Sequence, residues 1–368
     1  MNVLFCSTNG HLPQSVGGTE CNTHETALQL TAQGHRAVVL AALMPTGWLT
    51  FWLRARRHLL RDEYPVDQHL GYPVYRVCSP PEALAAICKA QAIDVIVVNQ
   101  NHRALARAAL ATGRPCVMYV HCTDFVDLGA HPSLHFISNS TFTAQRLRER
   151  YGQPSAVIRP WIEPARYRVT SSRQTVLFVN PHPFKGVDIA LALARRRPDI
   201  PFLFVESWPM KRAMRAHYRA LASHCPNIRW HAPVSDMTRM YRQARILLMP
   251  SQWEETWGRV ASEAQVSGIP VIATRRAGLP ESVGPGGILV EPNSDFEAWH
   301  DALSTLWDNA AAYQKFSQAA RAYSAREEIA PRMLLSRLMG VLEAAKTSGA
   351  RDPAVRERCA DFSSAVPG

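Results

Sequence analysis

No run of apolar residues in this 368-residue chain approaches the roughly 20 that a membrane-spanning helix needs, so no spanning helix is expected. The opening Met1-Asn2-Val3-Leu4-Phe5-Cys6 lacks both a basic n-region and a long apolar stretch. It reads as the first strand of a domain, not as a secretory leader. No two cysteines are spaced Cys-x-x-Cys; the eight lie scattered at 6, 21, 78, 88, 116, 122, 225 and 359. That scatter argues against a zinc site and, at this length, against a disulfide framework. Cytoplasmic residence is the expectation that follows.

Apolar content of 47% and charged content of 19% are ordinary for a globular protein, and the length suits two hydrophobic cores better than one. The formal charge of +11 favours anionic partners. No recognition motif or ladder of basic and aromatic residues points to nucleic acid. Phosphorylated small molecules, an anionic membrane surface or a solvated arginine-rich exterior all accommodate the charge.

Strands and helices alternate along most of the chain. Strand-like runs fall at Val3–Ser7, Arg36–Ala41, Ile93–Val98, Cys116–Val120 and Leu134–Ile137, with helical stretches such as 20–33, 103–111 and 143–151 between them. Two prolines within Arg159-Pro160-Trp161-Ile162-Glu163-Pro164 mark a linker. The alternation restarts at 176–179 and runs through 202–205, 228–230, 246–249 and 270–273. This predicts two α/β domains with parallel sheets, over 1–160 and 165–345, with 346–368 a loose tail. Ligands of such sheets bind beyond the carboxyl ends of the strands, so a cleft lined by those ends is expected.

One segment carries the chemistry. Glu255 and Glu263 stand in a Glu-x7-Glu spacing just after the strand Ile246–Met249. A helix starting near Trp257 would put Glu255 at its mouth and Glu263 inside it. Free N–H groups at a helix mouth bind anions, and ionised carboxylates accept hydrogen bonds from hydroxyls. A ligand anionic at one end and rich in hydroxyls at the other fits, and a nucleotide-sugar is such a molecule.

At these residues the chain resembles the large family of retaining GT-B glycosyltransferases with the Glu-x7-Glu motif, glycosyltransferase family 4 or group 1. Besides Pro250 to Glu263, the resemblance rests on Gly17-Gly18-Thr19-Glu20, Gly34-His35, Lys185-Gly186-Val187-Asp188, Gly268-Ile269-Pro270-Val271, Ala277-Gly278-Leu279-Pro280-Glu281 and Gly286-Gly287-Ile288-Leu289-Val290, all in register. It implies a GT-B fold of two Rossmann-like domains, the amino-terminal one for the acceptor and the carboxyl-terminal one for the donor, with the last helix able to cross back. It implies a hexosyltransferase-type enzyme moving a sugar from a nucleoside diphosphate, UDP ahead of GDP, to an acceptor hydroxyl. In that reading Glu255 binds sugar hydroxyls and Glu263 the ribose. The N–H groups of Thr256, Trp257 and Gly258 reach the sugar or phosphate, and Lys185 meets the β-phosphate. The N–H groups of Gly278 and Leu279 bind the diphosphate, Glu281 orients that turn, and Gly17 and Gly18 form a backbone nest. His121 lies near the reacting groups, and Asn99 and Asn101 face acceptor hydroxyls.

The chain departs from the family in three places. Asn180 replaces an arginine five residues before the lysine, so one diphosphate contact is either missing or supplied elsewhere, by His182 or Arg259. Glu206-Ser207-Trp208-Pro209 replaces a glycine turn, and the linker lacks the usual Asn-Gly-Val-Asp. No Asp-x-Asp pair occurs, so metal-independent transfer with no cofactor is expected. Residues 48–61, with Trp48, Phe51, Trp52, Leu59 and Leu60 among Arg54, Arg56, Arg57 and Arg61, read as an amphipathic helix on a membrane or as an acceptor-side wall. The alternative functions are a catalytically silent nucleotide-sugar-binding subunit and an epimerase or phosphorylase on the same fold.

Overall fold

The computed structural model describes residues 1–351 except 46, 62, 100–101, 125–133 and 209. Asn101 and most of the expected tail, 352–368, lie outside the described residues. The chain forms two compact units, Met1–Trp161 with the segment from Pro331, and Ile162–Ala330.

The first unit holds strands β1 (Asn2–Cys6), β2 (Arg36–Ala42), β3 (Val66–Asp67), β4 (Val74–Val77), β5 (Val95–Val98), β6 (Cys116–Val120), β7 (Leu134–Ser138) and β8 (Ala156–Val157). Its helices are α1 (Gly18–Ala32), α2 (Trp48–Leu60), α3 (Pro80–Ala90), α4 (Arg103–Ala111) and α5 (Thr141–Tyr151). The sheet order is β3-β4-β2-β1-β5-β6-β7-β8, parallel except for the β3–β4 edge pair. Side chains alternate between two cores: Val3 and Phe5 pack on one face, Leu4 and Cys6 on the other. A sheet covered on both faces needs apolar residues at every strand position, which is why β1 and β5 read as continuous apolar runs.

The β3–β4 edge was not legible in the sequence, because Arg76 interrupts the apolar run of β4. The structure buries that arginine, which donates to Asp67 Oδ2 at 2.7 Å and to the carbonyl of His11 at 2.9 Å. A buried guanidinium needs such a full set of acceptors.

The second unit holds β9 (Thr175–Val179), β10 (Phe202–Val205), β11 (Ile228–His231), β12 (Ala244–Met249), β13 (Val271–Thr274) and β14 (Gly287–Val290). Its helices are α6 (Pro164–Tyr167), α7 (Val187–Arg196), α8 (Arg212–Ser223), α9 (Thr238–Tyr241), α10 (Arg259–Gln265), α11 (Leu279–Val283), α12 (Phe296–Asp308) and α13 (Ala310–Ser324). All pairs are parallel in the order β11-β10-β9-β12-β13-β14. This is the dinucleotide-fold order 3-2-1-4-5-6, whose direction reverses between β9 and β12.

The second domain was expected to run to 345 with its last helix able to cross back, and helix α14 (Pro331–Arg351) does belong to the first unit. Leu334, Leu338, Leu342 and Ala345, at helical spacing, are buried in the same core as Val3, Phe5, Val95 and Val97. Removing that apolar face from water holds the helix there, and it carries residues 346–351, read as tail, with it.

Candidate active site

The two loops that leave the reversal point of the second sheet carry Lys185 and Glu255. Residues Pro183–Lys185 follow β9 as one 3-10 turn, and Pro250 to Gly258 follow β12. The loops are stitched by backbone. The Gln252 N–H donates to the Phe184 carbonyl at 2.9 Å, and Gly186, at φ +77°, lies where any Cβ would fall on the Pro250 carbonyl. Only glycine satisfies both the left-handed backbone and the close approach.

This approach pairs the Lys185 ammonium with Glu255 Oε1. The same oxygen accepts from Ser251 Oγ at 3.0 Å. The ammonium also sits over the Trp208 ring, 4.3 Å from its centroid, a cation–π contact from the loop after β10. An aromatic rim surrounds the pair: His182 and Phe184 have centroids 5.0 Å apart, and Phe184 stacks on Trp253 at 6.0 Å. The arrangement offers a cation for a phosphate, a carboxylate for hydroxyls and planar rings for an apolar face.

Asn180, which replaces the family arginine, has a structural task. It closes β9 at φ 62°, a left-handed position that Asn tolerates, and its Oδ1 accepts the Trp208 N–H at 2.6 Å. It therefore fixes the ring beneath Lys185. Neither expected substitute for the arginine is available as a free cation. Burial and the Lys185 charge hold the His182 pKa below its ordinary value. Arg259 is buried and donates to Glu263 Oε1 at 2.7 Å and to the Tyr167 hydroxyl at 2.8 Å.

Glu263, expected to bind the ribose, is engaged within the fold in this structure. It is buried, and its second oxygen, Oε2, accepts from the Tyr241 hydroxyl at 2.7 Å. Both oxygens are thus engaged inside the fold, in a network joining α6, α9 and α10.

The glycine turn also differs from expectation. The Gly278 N–H donates to the Glu255 carbonyl at 2.7 Å, and the Leu279 N–H to the Arg276 carbonyl at 3.1 Å. The turn spends these donors on holding the Glu255 loop instead of presenting them to a diphosphate. A Cβ on Gly278 would fall on the Thr256 carbonyl, so the residue is glycine for packing. Glu281 lies in the first turn of the short α11, where its carbonyl accepts from the Tyr323 hydroxyl at 2.9 Å.

Helix α10 begins at Arg259, two residues later than expected, and has seven residues against five in α11. Both are too short to build the macrodipole of a long helix. Thr256 and Trp257 are buried, and the indole N–H of Trp257 donates to Ser262 Oγ at 3.1 Å. The side of Gly258 where a Cβ would project is filled by Leu279 and Met249.

In the first unit the reversal lies between β1 and β5. Ser7, His11, Thr19, Glu20, Thr23 and Asn99 line a small hollow there. Asn99 is buried and donates through Nδ2 to Thr23 Oγ1 at 2.7 Å. The Gly17–Gly18 nest is not open: the Glu20 carboxyl folds back on it, lying where a Cβ on Gly17 would project, and burial raises its pKa. His121 follows β6, its ring 4.2 Å from that of Tyr119, and burial lowers its pKa to about 3. It is a neutral imidazole at neutral pH, too weak a base to take a proton from a hydroxyl unaided. His121 belongs to the first unit, Lys185 and Glu255 to the second. The Trp208–Asn180 link, the Ser251 contact and the Tyr241–Glu263–Arg259 network carried no sequence signal beyond the departures themselves.

Two family models match the chain: Glycosyltransferase Family 4 over residues 16–166 and Glycosyl transferases group 1 over 162–323. The chain belongs to this glycosyltransferase family. A stretch of 79 residues, 21% of the chain, is 49% identical to the D-inositol 3-phosphate glycosyltransferase of Corynebacterium glutamicum (strain R), of which it covers 18%. Over 329 residues, 86% of the chain, it is 26% identical to the exopolysaccharide phosphotransferase SCO2592 of Streptomyces coelicolor, of which it covers 33%. The chain thus spans under a fifth of the first relative's length and a third of the second's. The crystal structure of Anabaena Alr3699/HepE in complex with UDP-glucose matches 94% of this chain and 100% of its own, at 16% identity and a TM-score of 0.72. The fold of this family member is GT-B, two units each with an almost wholly parallel sheet. Among the described residues no helix is long and apolar enough to cross a membrane.

Proposed function

We propose that the chain transfers a glycosyl group from a nucleoside diphosphate sugar to an acceptor hydroxyl, with retention of configuration and without a divalent metal. The observation that carries this reading is the meeting of Lys185 with Glu255, 70 residues apart in sequence, at the reversal point of the second sheet. A diphosphate leaving group gains charge as the glycosidic bond breaks, and a preplaced ammonium stabilises it. The neighbouring carboxylate accepts hydrogen bonds from sugar hydroxyls and holds the ring in line. Donor binding then exchanges one ion pair for two ligand contacts, Lys185 to phosphate and Glu255 to sugar. Metal independence rests on this lysine and on the lack of Asp-x-Asp in the sequence.

UDP is the favoured nucleotide, since the HepE structure of the same fold holds UDP-glucose; GDP is the alternative. The acceptor hydroxyl is assigned to the first unit, with Asn99 and His121 at its strand ends. Residence in the cytoplasm, peripheral to the inner face of the membrane, completes the reading.

A thermal-shift screen with UDP, GDP, TDP and ADP tests it, followed by release of nucleoside diphosphate from the matching sugar donor in the presence of a chelator. One nucleotide raising the melting temperature, with chelator-resistant turnover, is expected. Turnover abolished by chelator would overturn metal independence. The Asn180 and Trp208 departures favour a second reading, a binding subunit without transfer; it predicts the thermal shift with no nucleoside diphosphate released.

A further inference from the structure

Lys185 and Glu255 occupy each other. Their side chains are 13% and 11% exposed, so water screens the pair weakly. Oε1 of Glu255 accepts from the ammonium and from Ser251 Oγ, and among the described residues no second cation pairs with this carboxylate. A ligand that draws the ammonium away leaves a buried carboxylate with one hydroxyl for a partner. Separating a shielded ion pair and stranding one half is strongly unfavourable, whereas giving both halves new partners is not.

The basic groups around the pair do not stand in for Lys185. Burial and the Lys185 charge keep His182 below its ordinary pKa, Arg259 is engaged by Glu263 and Tyr167, and Arg276 donates to the Gln252 carbonyl at 3.1 Å. Asn180 carries no charge and gives its Oδ1 to the Trp208 N–H. The Trp208 ring, 4.3 Å from the ammonium, favours the cation whichever anion it meets and so does not choose between ligands. The choice falls to Glu255.

A sugar nucleotide and the nucleoside diphosphate left after transfer bring different groups to this pair. Both carry phosphate for Lys185. Only the intact donor also carries sugar hydroxyls, which donate to an ionised carboxylate. The donor therefore replaces the partner of each residue, whereas the bare diphosphate replaces one and strands the other. A ligand opens such a pair only by its differential affinity for the paired and opened states.

We propose that Glu255 is a gate as well as a sugar ligand: by holding Lys185 it selects the intact sugar nucleotide over the bare nucleoside diphosphate, and so limits inhibition by the product of transfer. This rests on the donor reading above and adds to it a means of telling substrate from product.

The test is titration calorimetry of the full chain with UDP and UDP-glucose, and with GDP and GDP-mannose as a second pair. The parent should bind the sugar nucleotide of one pair about ten-fold or more tightly than its diphosphate. Glu255→Gln removes the charge that holds the ammonium. It should bind that diphosphate about ten-fold more tightly than the parent does and lose the preference for the sugar nucleotide. In a Lys185→Ala background the same change should leave diphosphate affinity where it was, since no ammonium is there to be released. A general effect of removing one negative charge would raise affinity in both backgrounds. Diphosphate affinity unchanged or lowered by Glu255→Gln, or raised equally with and without Lys185, overturns the gate while leaving the donor reading in place. A parent that binds neither member of either pair overturns the donor reading and the gate with it.

Discussion

At the residue scale the two glutamates of the Glu-x7-Glu spacing part company. Glu255 is buried, but its partner is the half-buried Lys185 on a neighbouring loop, and exchanging that pair for a ligand leaves the apolar core untouched. Lys185→Ala and Glu255→Ala are each expected to lower transfer by roughly 10²–10³-fold with little change in melting temperature. Comparison of steady-state transfer with thermal melting checks this. Glu263→Ala should behave differently, because it strands the buried Arg259 guanidinium. A loss of about 3–5 kcal/mol in denaturant unfolding is expected. If Glu263→Ala melts like the parent and loses only nucleotide affinity, the ribose role is restored. Trp208 is expected to act through Lys185: Trp208→Ala should weaken nucleoside diphosphate binding up to about ten-fold by titration calorimetry, and Trp208→Phe should recover most of it. These roles were only half legible. The Lys185 and Glu255 segments stand out as motifs, whereas Glu263 is held by Tyr241 of α9, which shares no motif with it, and by Arg259, which is held in turn by Tyr167 of α6.

At the scale of elements, the site is held by loops that touch through their backbones. The 276–278 turn supports the Glu255 loop through the Gly278 N–H, and the 183–186 turn supports it through the Phe184 carbonyl. Gly278→Ala and Gly186→Ala place a methyl group on a backbone carbonyl, and Gly186→Ala also strains a left-handed position. Both are expected to lower the melting temperature and transfer together, a pattern distinct from that of Lys185→Ala. Differential scanning calorimetry alongside the transfer assay separates the two. The glycines themselves were visible in the sequence. What they are for was not, because a glycine that makes room for a ligand and one that makes room for a carbonyl look alike in sequence.

At the scale of the whole molecule, two buried imidazoles tie stability to pH. His11 lies in the first unit with Nε2 2.9 Å from the Tyr72 hydroxyl, and burial first, then the Arg76 charge, lowers its pKa to about 3. An unfolded histidine titrates near 6.5, so below that pH the unfolded chain takes up a proton that the folded chain refuses. The stabilising contribution is therefore complete above about 6.5 and declines as pH falls toward about 3. For His11 the loss at pH 5.5 is about 1.4 kcal/mol. Melting temperatures between pH 7.5 and 5 should fall, and His11→Gln should flatten the slope; an unchanged slope would assign it to other groups.

The sequence by itself determined the class of the fold and the segments that carry chemistry. Strand and helix periodicity and turn residues are local properties, and Lys185-Gly186 and Glu255 through Glu263 are contiguous runs. Tertiary structure alone decided which of those groups are available. It spent the Gly278 and Leu279 N–H groups, buried Glu263 against Arg259 and Tyr241, closed the Gly17–Gly18 nest with Glu20, and returned α14 to the first unit. Each outcome turns on a partner distant in sequence or on a neighbour's orientation. A donor's freedom is a property of what faces it, and only the folded chain sets that.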